Sequence, residues 1–170
     1  MRENFEASFK HLLKHEGGFV NHPKDPGGMT NLGVTKRAWE EYQGREVDEA
    51  EMRSLTPAII APFYKAKYWD KVKGDDLPAG VDHAVFDYAV NSGTGRAAKA
   101  LQAAVGVPAD GAIGPKTLAA VAAADPEELL DAICDGRMAF LQNLPTFSTF
   151  GKGWTRRVAE VEDQARDFMA

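Results

Sequence analysis

The chain has 170 residues, of which 44% are hydrophobic and 26% charged, and 25 acidic against 20 basic side chains give a net charge of −5. This length suits one ordinary globular domain, and no apolar run is long enough to cross a bilayer, so we expect a soluble protein without stable membrane association. The acidic balance argues against a nucleic-acid partner, because such partners are held by neutralising phosphates. The single cysteine, Cys134, excludes an intramolecular disulfide and is expected to be a buried thiol.

The first residues of the chain carry no legible export signal. They lack the basic start and the apolar stretch of a secretory signal. We therefore expect synthesis in the cytoplasm, and a substrate outside the cytoplasm would have to be reached by another route.

The first predicted element is an amphipathic helix. Phe5, Phe9 and Leu12 recur at helical spacing, and a glycine pair at positions 17 and 18 is expected to end the helix. Glu16 follows Leu12 by four residues and Phe9 by seven, so it continues the apolar face. This spacing predicts a carboxyl group on the last turn of the helix, with apolar neighbours.

The segment from Glu16 to Val34, EGGFVNHPKDPGGMTNLGV, is rich in glycine and proline and has no regular apolar period. Loops of this length inside a compact domain are usually functional or disordered. Apolar residues spaced through the segment can anchor it by packing, which favours function over disorder. This segment is also the one place where we expect a small β-hairpin.

Helical patterns cover the rest of the chain. Thr35, Asp48 and Thr56 are predicted N-caps, and a further helix ends near Gly93. Beyond Gly93 the chain is rich in alanine, and Gly-Pro and Asp-Pro pairs separate helices predicted over 97–105, 115–124, 126–144 and 153–169.

These patterns predict a mainly α fold with a small β-hairpin or loop after the first helix. The change in texture near Gly93 divides residues 1–92 from residues 93–170. No Pro/Ser-rich linker separates the two regions, so we expect them to pack as one globular unit.

Two carboxylates in the central segment are candidates for acid–base chemistry. Glu16 is predicted to face apolar surroundings, which favour the neutral acid, whereas Asp25 lies in a glycine-lined turn whose N–H donors favour the carboxylate. One acid and one carboxylate is the pair that glycoside hydrolysis requires. The alternative is structural: a glutamate before Gly-Gly is often solvated, and an aspartate before Pro-Gly-Gly often only forms a turn.

The segment EGGFVNHPKDPGGMTNLGV resembles the signature of glycoside hydrolase family 108, the muramidases of phage endolysins and their bacterial relatives. TPAIIAPFYKAKYW, DHAVFDYAVNSGTGRAAKALQAAVGVPADGAIGPKTLAAV and GKGWTRRV are similar to later blocks of the family, so the resemblance covers nearly the whole chain. It implies a lysozyme-like fold and an endolysin-like enzyme of phage or prophage cell wall lysis. Such an enzyme cleaves the β-1,4 bond between N-acetylmuramic acid and N-acetylglucosamine. The resemblance also implies that Glu16 is catalytic and that residues 1–92 form the muramidase region.

The order Glu16, Asp25, Thr30 also resembles the Glu-Asp-Thr arrangement of phage-type lysozymes, with the threonine one residue closer. This resemblance implies that Asp25 and Thr30 position water or support the transition state. A structural role for Asp25 stays open.

The family resemblance implies that residues 93–170 are a helical, peptidoglycan-associated region. Within it, residues 110–117 (DGAIGPKT) resemble a turn of peptidoglycan-binding modules. The Asp-Gly and Gly-Pro pairs of this turn favour a structural role over direct glycan contact.

Several further side chains are candidates for substrate binding. Asn91, at a predicted helix end, could bond an acetamido group or could be an ordinary cap. Asp87 and Tyr88 precede it on the same helix and could line a cleft. Tyr64 and Trp69 could stack on sugar faces, although aromatics at helical spacing more often pack in the core.

We expect no metal and no other cofactor. His11 and His15 have ligand spacing on a helix, but neither the HExxH pattern nor a third-ligand cluster accompanies them.

The expected partner is the glycan strand of peptidoglycan, attacked in the periplasm by a monomer after release or export. A holin or an export system would then provide the route. Two other functions fit the same residues: a non-enzymatic wall-binding or secretion-accessory protein, and a lytic transglycosylase, in which the muramyl sugar closes on itself without water.

Overall fold

Helices account for most of the computed structural model, which describes residues 2–21 and 28–170. These residues form two compact units. Residues 9–66 form the small unit, and residues 1–8 together with 67–170 form the large unit. The mainly α prediction is confirmed, as is the small sheet after the first helix.

The small unit carries all the β-structure among the described residues. Its elements follow the end of helix α1 (Arg2–Leu13). They are β1 (Val20–Asn21), β2 (Met29–Asn31), β3 (Val34–Thr35), α2 (Lys36–Gln43), α3 (Glu49–Arg53) and α4 (Pro57–Tyr64).

The three short strands form an antiparallel sheet in the order β1-β2-β3. Val20 pairs with Thr30, and Asn31 pairs with Val34. The side chains of Thr35, Asp48 and Thr56 accept hydrogen bonds from the first turns of α2, α3 and α4. All three predicted N-caps are therefore confirmed.

The large unit consists of helical segments. A π-helical turn (Lys65–Trp69) and a 3₁₀ turn (Gly74–Asp76) precede α5 (Val81–Ser92), α6 (Thr94–Ala104), α7 (Pro115–Ala123), α8 (Pro126–Gln142) and α9 (Phe147–Met169). Among the described residues, no helix has both the length and the apolarity needed to cross a membrane.

Helix α5 lies at the centre of the large unit. Its residues 81–89 are all buried, and it packs against α6, α8 and α9. A helix that is buried on every side must be apolar around most of its circumference, which is what its sequence shows. Two acidic residues of α5, Asp82 and Asp87, are buried together with its apolar residues.

Aromatic residues from distant parts of the chain meet in the core of the large unit. The ring centroid of Phe5 lies 5.5 Å from that of Trp69 and 5.7 Å from that of Phe86, and Trp69 and Phe86 are 5.4 Å apart. All three pairs have edge-to-face geometry, which adds to the stabilisation from burial. This cluster fixes the first residues of α1 within the large unit.

Helix α9 begins at Phe147, earlier than the start predicted at residue 153. The predicted start was itself a glycine, Gly153. Gly151 lies inside the helix, where a Cβ atom would come within 2.8 Å of the Phe147 ring. Gly151 is therefore a packing position and not a helix terminator.

Cys134 is a buried free thiol, as predicted. Burial, with a further contribution from the charge of Glu162, raises the pKa of its thiol to about 12. The residue acts as a small apolar side chain of α8.

The aromatic cluster yields a stability prediction. Phe86→Ala should lower the free energy of unfolding by about 3–5 kcal/mol, because it leaves a cavity beside Phe5 and Trp69. Phe150→Ala is the matched control, since the Phe150 side chain is 53% exposed, and it should cost less than about 1 kcal/mol. Urea denaturation of both variants measures the difference, and equal losses would contradict this description of the core.

Candidate active site

Glu16 lies just beyond the end of α1. The α-helix stops at Leu13, and the N–H groups of Lys14, His15 and Glu16 then donate to carbonyls three residues earlier at 3.1, 3.0 and 3.2 Å. Glu16 was predicted on the last α-helical turn, but it lies on a tighter 3₁₀-type turn that follows the helix. Glu16 is half-buried, and the glycines that follow it are exposed.

The turn between β2 and β3 is a two-residue hairpin loop. Leu32 and Gly33 both have positive φ, 52° and 79°, between the paired residues Asn31 and Val34. This is the pattern of a type I′ turn, in which a leucine at the first central position is strained because of its Cβ atom. The hydroxyl of Tyr64 donates to the Leu32 carbonyl at 2.7 Å and holds the turn in this conformation.

The Glu16 carboxyl packs directly against this turn. A Cβ atom on Gly33 would lie 2.6 Å from Glu16 Oε2, 2.8 Å from Glu16 Cδ and 2.6 Å from the Tyr64 hydroxyl oxygen. Only glycine fits here, because both the positive φ and the close approach exclude a side chain. The turn backbone and Tyr64 therefore define where the Glu16 carboxyl lies.

Tyr64 itself is buried, with its ring 5.2 Å from that of Phe9 and 5.6 Å from that of Phe63. Trp69, in the large unit, has no exposed surface, and its indole nitrogen donates to Asp75 at 2.9 Å. Both were predicted as sugar-stacking candidates. In the structure their rings pack in the core, and Tyr64 contributes its hydroxyl to the turn.

Of the other predicted catalytic residues, Thr30 is half-buried in β2, where it pairs with Val20 and Thr35. Strand β2 leads directly into the turn that contacts Glu16. Asp25 falls within residues 22–27, outside the described residues.

A second polar cluster lies in the large unit, around Asp87 of α5. Arg137 of α8 donates to Asp87 at 2.8 Å, and Arg157 of α9 donates to both carboxylate oxygens at 3.1 and 3.0 Å. Burial alone would favour the neutral acid, but the charges and hydrogen bonds of Arg137 and Arg157 outweigh it and lower the pKa of Asp87. The carboxylate thus joins three helices.

The same cluster orients Asn91 at the exposed end of α5. Arg137 donates through its second nitrogen, Nη2, to Asn91 Oδ1 at 3.1 Å. The oxygen of the amide is thereby fixed, and the Nδ2 donor of Asn91 has no bonded acceptor among the described residues. The guanidinium of Arg137 also lies 5.1 Å from the ring centroid of buried Tyr88, so Asp87 and Tyr88 both support Arg137.

Sequence reasoning missed Arg137, Arg157 and Gly33 as parts of these clusters. One signal was present for Arg137: it follows Ile133 by four residues and precedes Leu141 by four, so it lies on the apolar stripe of α8. A charged residue at such a position needs a buried partner. The same signal was present for Arg157, which precedes Val161 by four residues, whereas its neighbour Arg156 precedes Glu160 by four.

The turn at residues 110–117 is held from within the chain. The side-chain nitrogen of buried Gln102 donates to Asp110 at 2.8 Å, to the Ala112 carbonyl at 3.0 Å and to Thr117 at 3.2 Å, while its oxygen accepts from the Gly111 N–H at 2.9 Å. Hydrogen bonds to a single buried side chain are typical of a structural turn.

A half-buried glutamate held against a β-turn, within a small unit of helices and one short antiparallel sheet, fits the lysozyme-like class of glycoside hydrolases. Comparison with known families supports this class. The family described as Glycosyl hydrolase 108 matches residues 9–93, and the one described as Predicted Peptidoglycan domain matches residues 96–159.

The chain therefore belongs to glycosyl hydrolase family 108. A solved structure of SagA from Brucella abortus is 49% identical in sequence and superposes with a TM-score of 0.87, over 99% of this chain and 97% of that one. A search of curated proteins found no match. The family membership makes the chain a glycoside hydrolase with a peptidoglycan-binding region.

The close approach at Gly33 yields the second prediction. Gly33→Ala should lower catalytic activity at least about tenfold, because the new Cβ displaces the Glu16 carboxyl. Gly44→Ala is the matched control: Gly44 also has a positive φ, 72°, but no described residue lies within 4 Å of its Cβ position. Both variants should lose about 1–2 kcal/mol of stability from the left-handed backbone, but only Gly33→Ala should lose activity. Equal activity of the two variants would contradict the assigned contact.

The third prediction concerns the charge at Asp87. Asp87→Asn should lower the free energy of unfolding at neutral pH by about 3–5 kcal/mol, because it leaves two arginines without a counter-charge. Because the pKa of Asp87 is lowered by folding, its contribution is fully present above the ordinary carboxyl pKa of about 4 and is lost as the pH falls further. The stability difference from the wild type should therefore shrink under acid conditions.

Asp131→Asn is the control for this prediction, since Asp131 pairs with Arg166 on the surface. It should leave the unfolding midpoint nearly unchanged. Thermal unfolding across acid and neutral pH measures both variants. A pH-independent loss in Asp87→Asn would show that the carboxylate is not the stabilising species.

Proposed function

We propose that the chain is an N-acetylmuramidase that hydrolyses the β-1,4 bond between N-acetylmuramic acid and N-acetylglucosamine in peptidoglycan. Glu16 is the general acid. The observation that carries this assignment is the position of its carboxyl, half-buried against the Gly33 turn and beside the Tyr64 hydroxyl. A carboxyl fixed by backbone and a buried side chain is preorganised for proton transfer.

The surroundings of Glu16 leave room for a glycan strand. Gly17, Gly18 and Gly33 are exposed, and Cβ atoms placed on Gly17 or Gly18 would meet no atom of residues 2–21 and 28–170 within 4 Å. A sugar ring can therefore approach the carboxyl from solvent without meeting side chains at these positions. The glycines thus let the backbone turn away from Glu16 and leave space for a sugar ring beside its carboxyl.

In the proposed reaction, Glu16 donates its proton to the glycosidic oxygen while the bond from that oxygen to the muramyl anomeric carbon breaks. The N-acetylglucosamine hydroxyl leaves, and water adds to the oxocarbenium-like centre, releasing a proton. We assign Asp25 and Thr30 to positioning this water or supporting the developing positive charge. Thr30 suits this task because β2 leads into the Gly33 turn.

For substrate binding beyond the reacting bond, we propose Asn91, whose Nδ2 donor can meet an acetamido carbonyl. Asp87, Tyr88, Tyr64 and Trp69 are buried, so we assign them supporting roles in positioning. Residues 1–92 then form the catalytic region and residues 93–170 the peptidoglycan-associated region. The enzyme would act as a monomer in the periplasm, which it would reach through a holin or an export system. The outcome would be cell wall lysis by a phage or prophage.

The fourth prediction tests the catalytic assignment. Glu16→Gln should lower the rate of cleavage of purified peptidoglycan by roughly 10²–10⁴-fold, since it removes the transferable proton but keeps the shape of the side chain. Glu3→Gln, at an exposed position of the same helix, is the control and should retain full activity. Circular dichroism should show the same fold in both variants.

Product analysis separates the proposal from its alternatives. Mass spectrometry of wild-type digests should find reducing-end muramic acid. Anhydro-muramyl products would instead establish a lytic transglycosylase. Binding to the wall without any new reducing ends would establish a non-enzymatic wall-binding protein.

A further inference from the structure

Residues 136–159 differ in charge from the rest of the chain. They contain four basic residues, Arg137, Lys152, Arg156 and Arg157, and no acidic residue, although the whole chain carries a net charge of −5. Arg137 and Arg157 are bonded to buried Asp87. Lys152 and Arg156 are exposed, and neither has an ion-pair partner among the described residues. Two positive charges are therefore presented to solvent on an otherwise acidic protein.

These two charges border a shallow groove of about 500 Å³ along the first turns of α9. Two neighbouring rows of residues spaced four apart line it: Phe147, Gly151 and Thr155 in one row, and Ser148, Lys152 and Arg156 in the other. The Phe147 ring lies across Gly151, where a side chain would collide with it. The groove thus has an apolar row beside a basic row.

An exposed aromatic platform adjoins the groove. The side chain of Phe150 is 53% exposed, and its ring centroid lies 5.7 Å from that of Trp154. The ring centroid of Phe147 lies 6.2 Å from that of Trp154. Phe147 and Trp154 also pack on the core of the large unit, whereas Phe150 projects into solvent. The exposed Phe150 ring is therefore backed by two partly buried rings, Phe147 and Trp154.

We propose that this aromatic and basic face of α9, formed by residues 147–156, binds peptidoglycan strands that carry stem peptides. Phe150 packs against a sugar face, while Lys152 and Arg156 pair with carboxylates of the stem peptide. The proposal rests on the proposed peptidoglycan substrate. It gives that substrate a second contact on the chain, within the range that matches the Predicted Peptidoglycan domain.

Charge complementarity identifies the peptide-bearing strand as the occupant. In a peptidoglycan strand the lactyl group of each substituted muramic acid is amide-linked, so the negative charges reside on the stem peptides. Sugar rings offer apolar faces to aromatic side chains, and carboxylates suit arginine and lysine. A groove with an apolar row and a basic row fits both parts of this polymer.

The turn at residues 110–117 is the competing surface within the same region. The side chains of Asp110 and Thr117 in this turn accept hydrogen bonds from Gln102, and Asp110 also accepts one from the Ala112 N–H. Lys116 of the turn is also exposed and has no ion-pair partner among the described residues, but residues 110–117 contain no aromatic ring, whereas the face of α9 has the exposed ring of Phe150 beside its two charges. The two surfaces therefore differ in what they can offer a ligand.

The fifth prediction compares binding to purified sacculi by sedimentation, with all variants carrying Glu16→Gln so that the wall is not digested. The double variant Lys152→Glu/Arg156→Glu should bind at least about tenfold more weakly, and Phe150→Ala should also bind more weakly. Lys99→Glu/Lys116→Glu makes the same change of charge beside the competing turn and should bind as the parent does. Circular dichroism melts confirm that each variant is folded.

Sacculi whose free carboxylates have been converted to neutral amides with a carbodiimide and ammonia test the assigned chemistry. On this material the parent and Lys152→Glu/Arg156→Glu should bind alike, because the carboxylates are gone. Unchanged binding of the double variant to intact sacculi would overturn the proposal, as would an equal loss in the Lys99/Lys116 control. Phosphatidylglycerol vesicles add a further outcome: charge reversal that abolishes vesicle binding but not sacculus binding would assign the face to a membrane and overturn the proposal.

Wild-type cleavage of soluble glycan fragments, measured separately, distinguishes the two proposals. If the wild type cuts no glycan, the muramidase assignment fails whatever the binding results show. If it cuts glycan but the α9 variants bind sacculi normally, only the binding face is wrong.

Discussion

The functional account depends on one steric constraint, the contact of the Glu16 carboxyl with the backbone of the β2–β3 turn. Gly33 has no Cβ, and a Cβ there would lie 2.6 Å from Glu16 Oε2. Residue 33 must therefore be glycine. Leu32, the other central residue of the turn, also has a positive φ, which is unfavourable for a residue with a Cβ atom, so the turn needs support from outside. Tyr64 supplies that support through its bond to the Leu32 carbonyl. The small sheet serves to place a backbone, not a side chain, against the carboxyl.

A second constraint operates within the large unit, at the buried Asp87 carboxylate. Its partners Arg137 and Arg157 lie in the range that matches the peptidoglycan domain, whereas Asp87 lies in the range that matches the hydrolase family. The ion pairs of Asp87 thus join residues of the two matched ranges within the large unit. Arg137 extends the same constraint to the exposed amide of Asn91. A region named for wall binding thus stabilises part of the hydrolase region.

Much of the fold could be predicted from the sequence because local rules determine it. The N-caps at Thr35, Asp48 and Thr56 are short-range hydrogen bonds that any such residue can make before a helix. The small hairpin was expected between Glu16 and Val34 because this is the one long segment without a helical pattern. The start of α9 was predicted too late, at residue 153, because the packing of Phe147 against Gly151 inside the helix is a contact that the sequence pattern does not show.

The candidate site was less predictable, for physical reasons that particular residues illustrate. Glu16 was identified from its place on an apolar stripe and from the family resemblance, but its neighbours come from a turn and a helix further along the chain. Tyr64 and Trp69 were considered as sugar contacts because the sequence does not distinguish an aromatic residue that packs in a core from one that binds a ligand. Arg137 and Asp87 are fifty positions apart in the chain, and their pairing follows only from how α5 and α8 pack.

The central claim, that Glu16 supplies a proton to the leaving sugar, can be tested with a substrate that does not need one. A dinitrophenyl glycoside of the disaccharide N-acetylglucosaminyl-N-acetylmuramic acid has a leaving group that departs without protonation. The Glu16→Gln enzyme should lose far less of its rate on this glycoside than on peptidoglycan, because the missing proton matters only for the natural leaving group. Equal losses on the two substrates would contradict the assignment of Glu16 as the general acid.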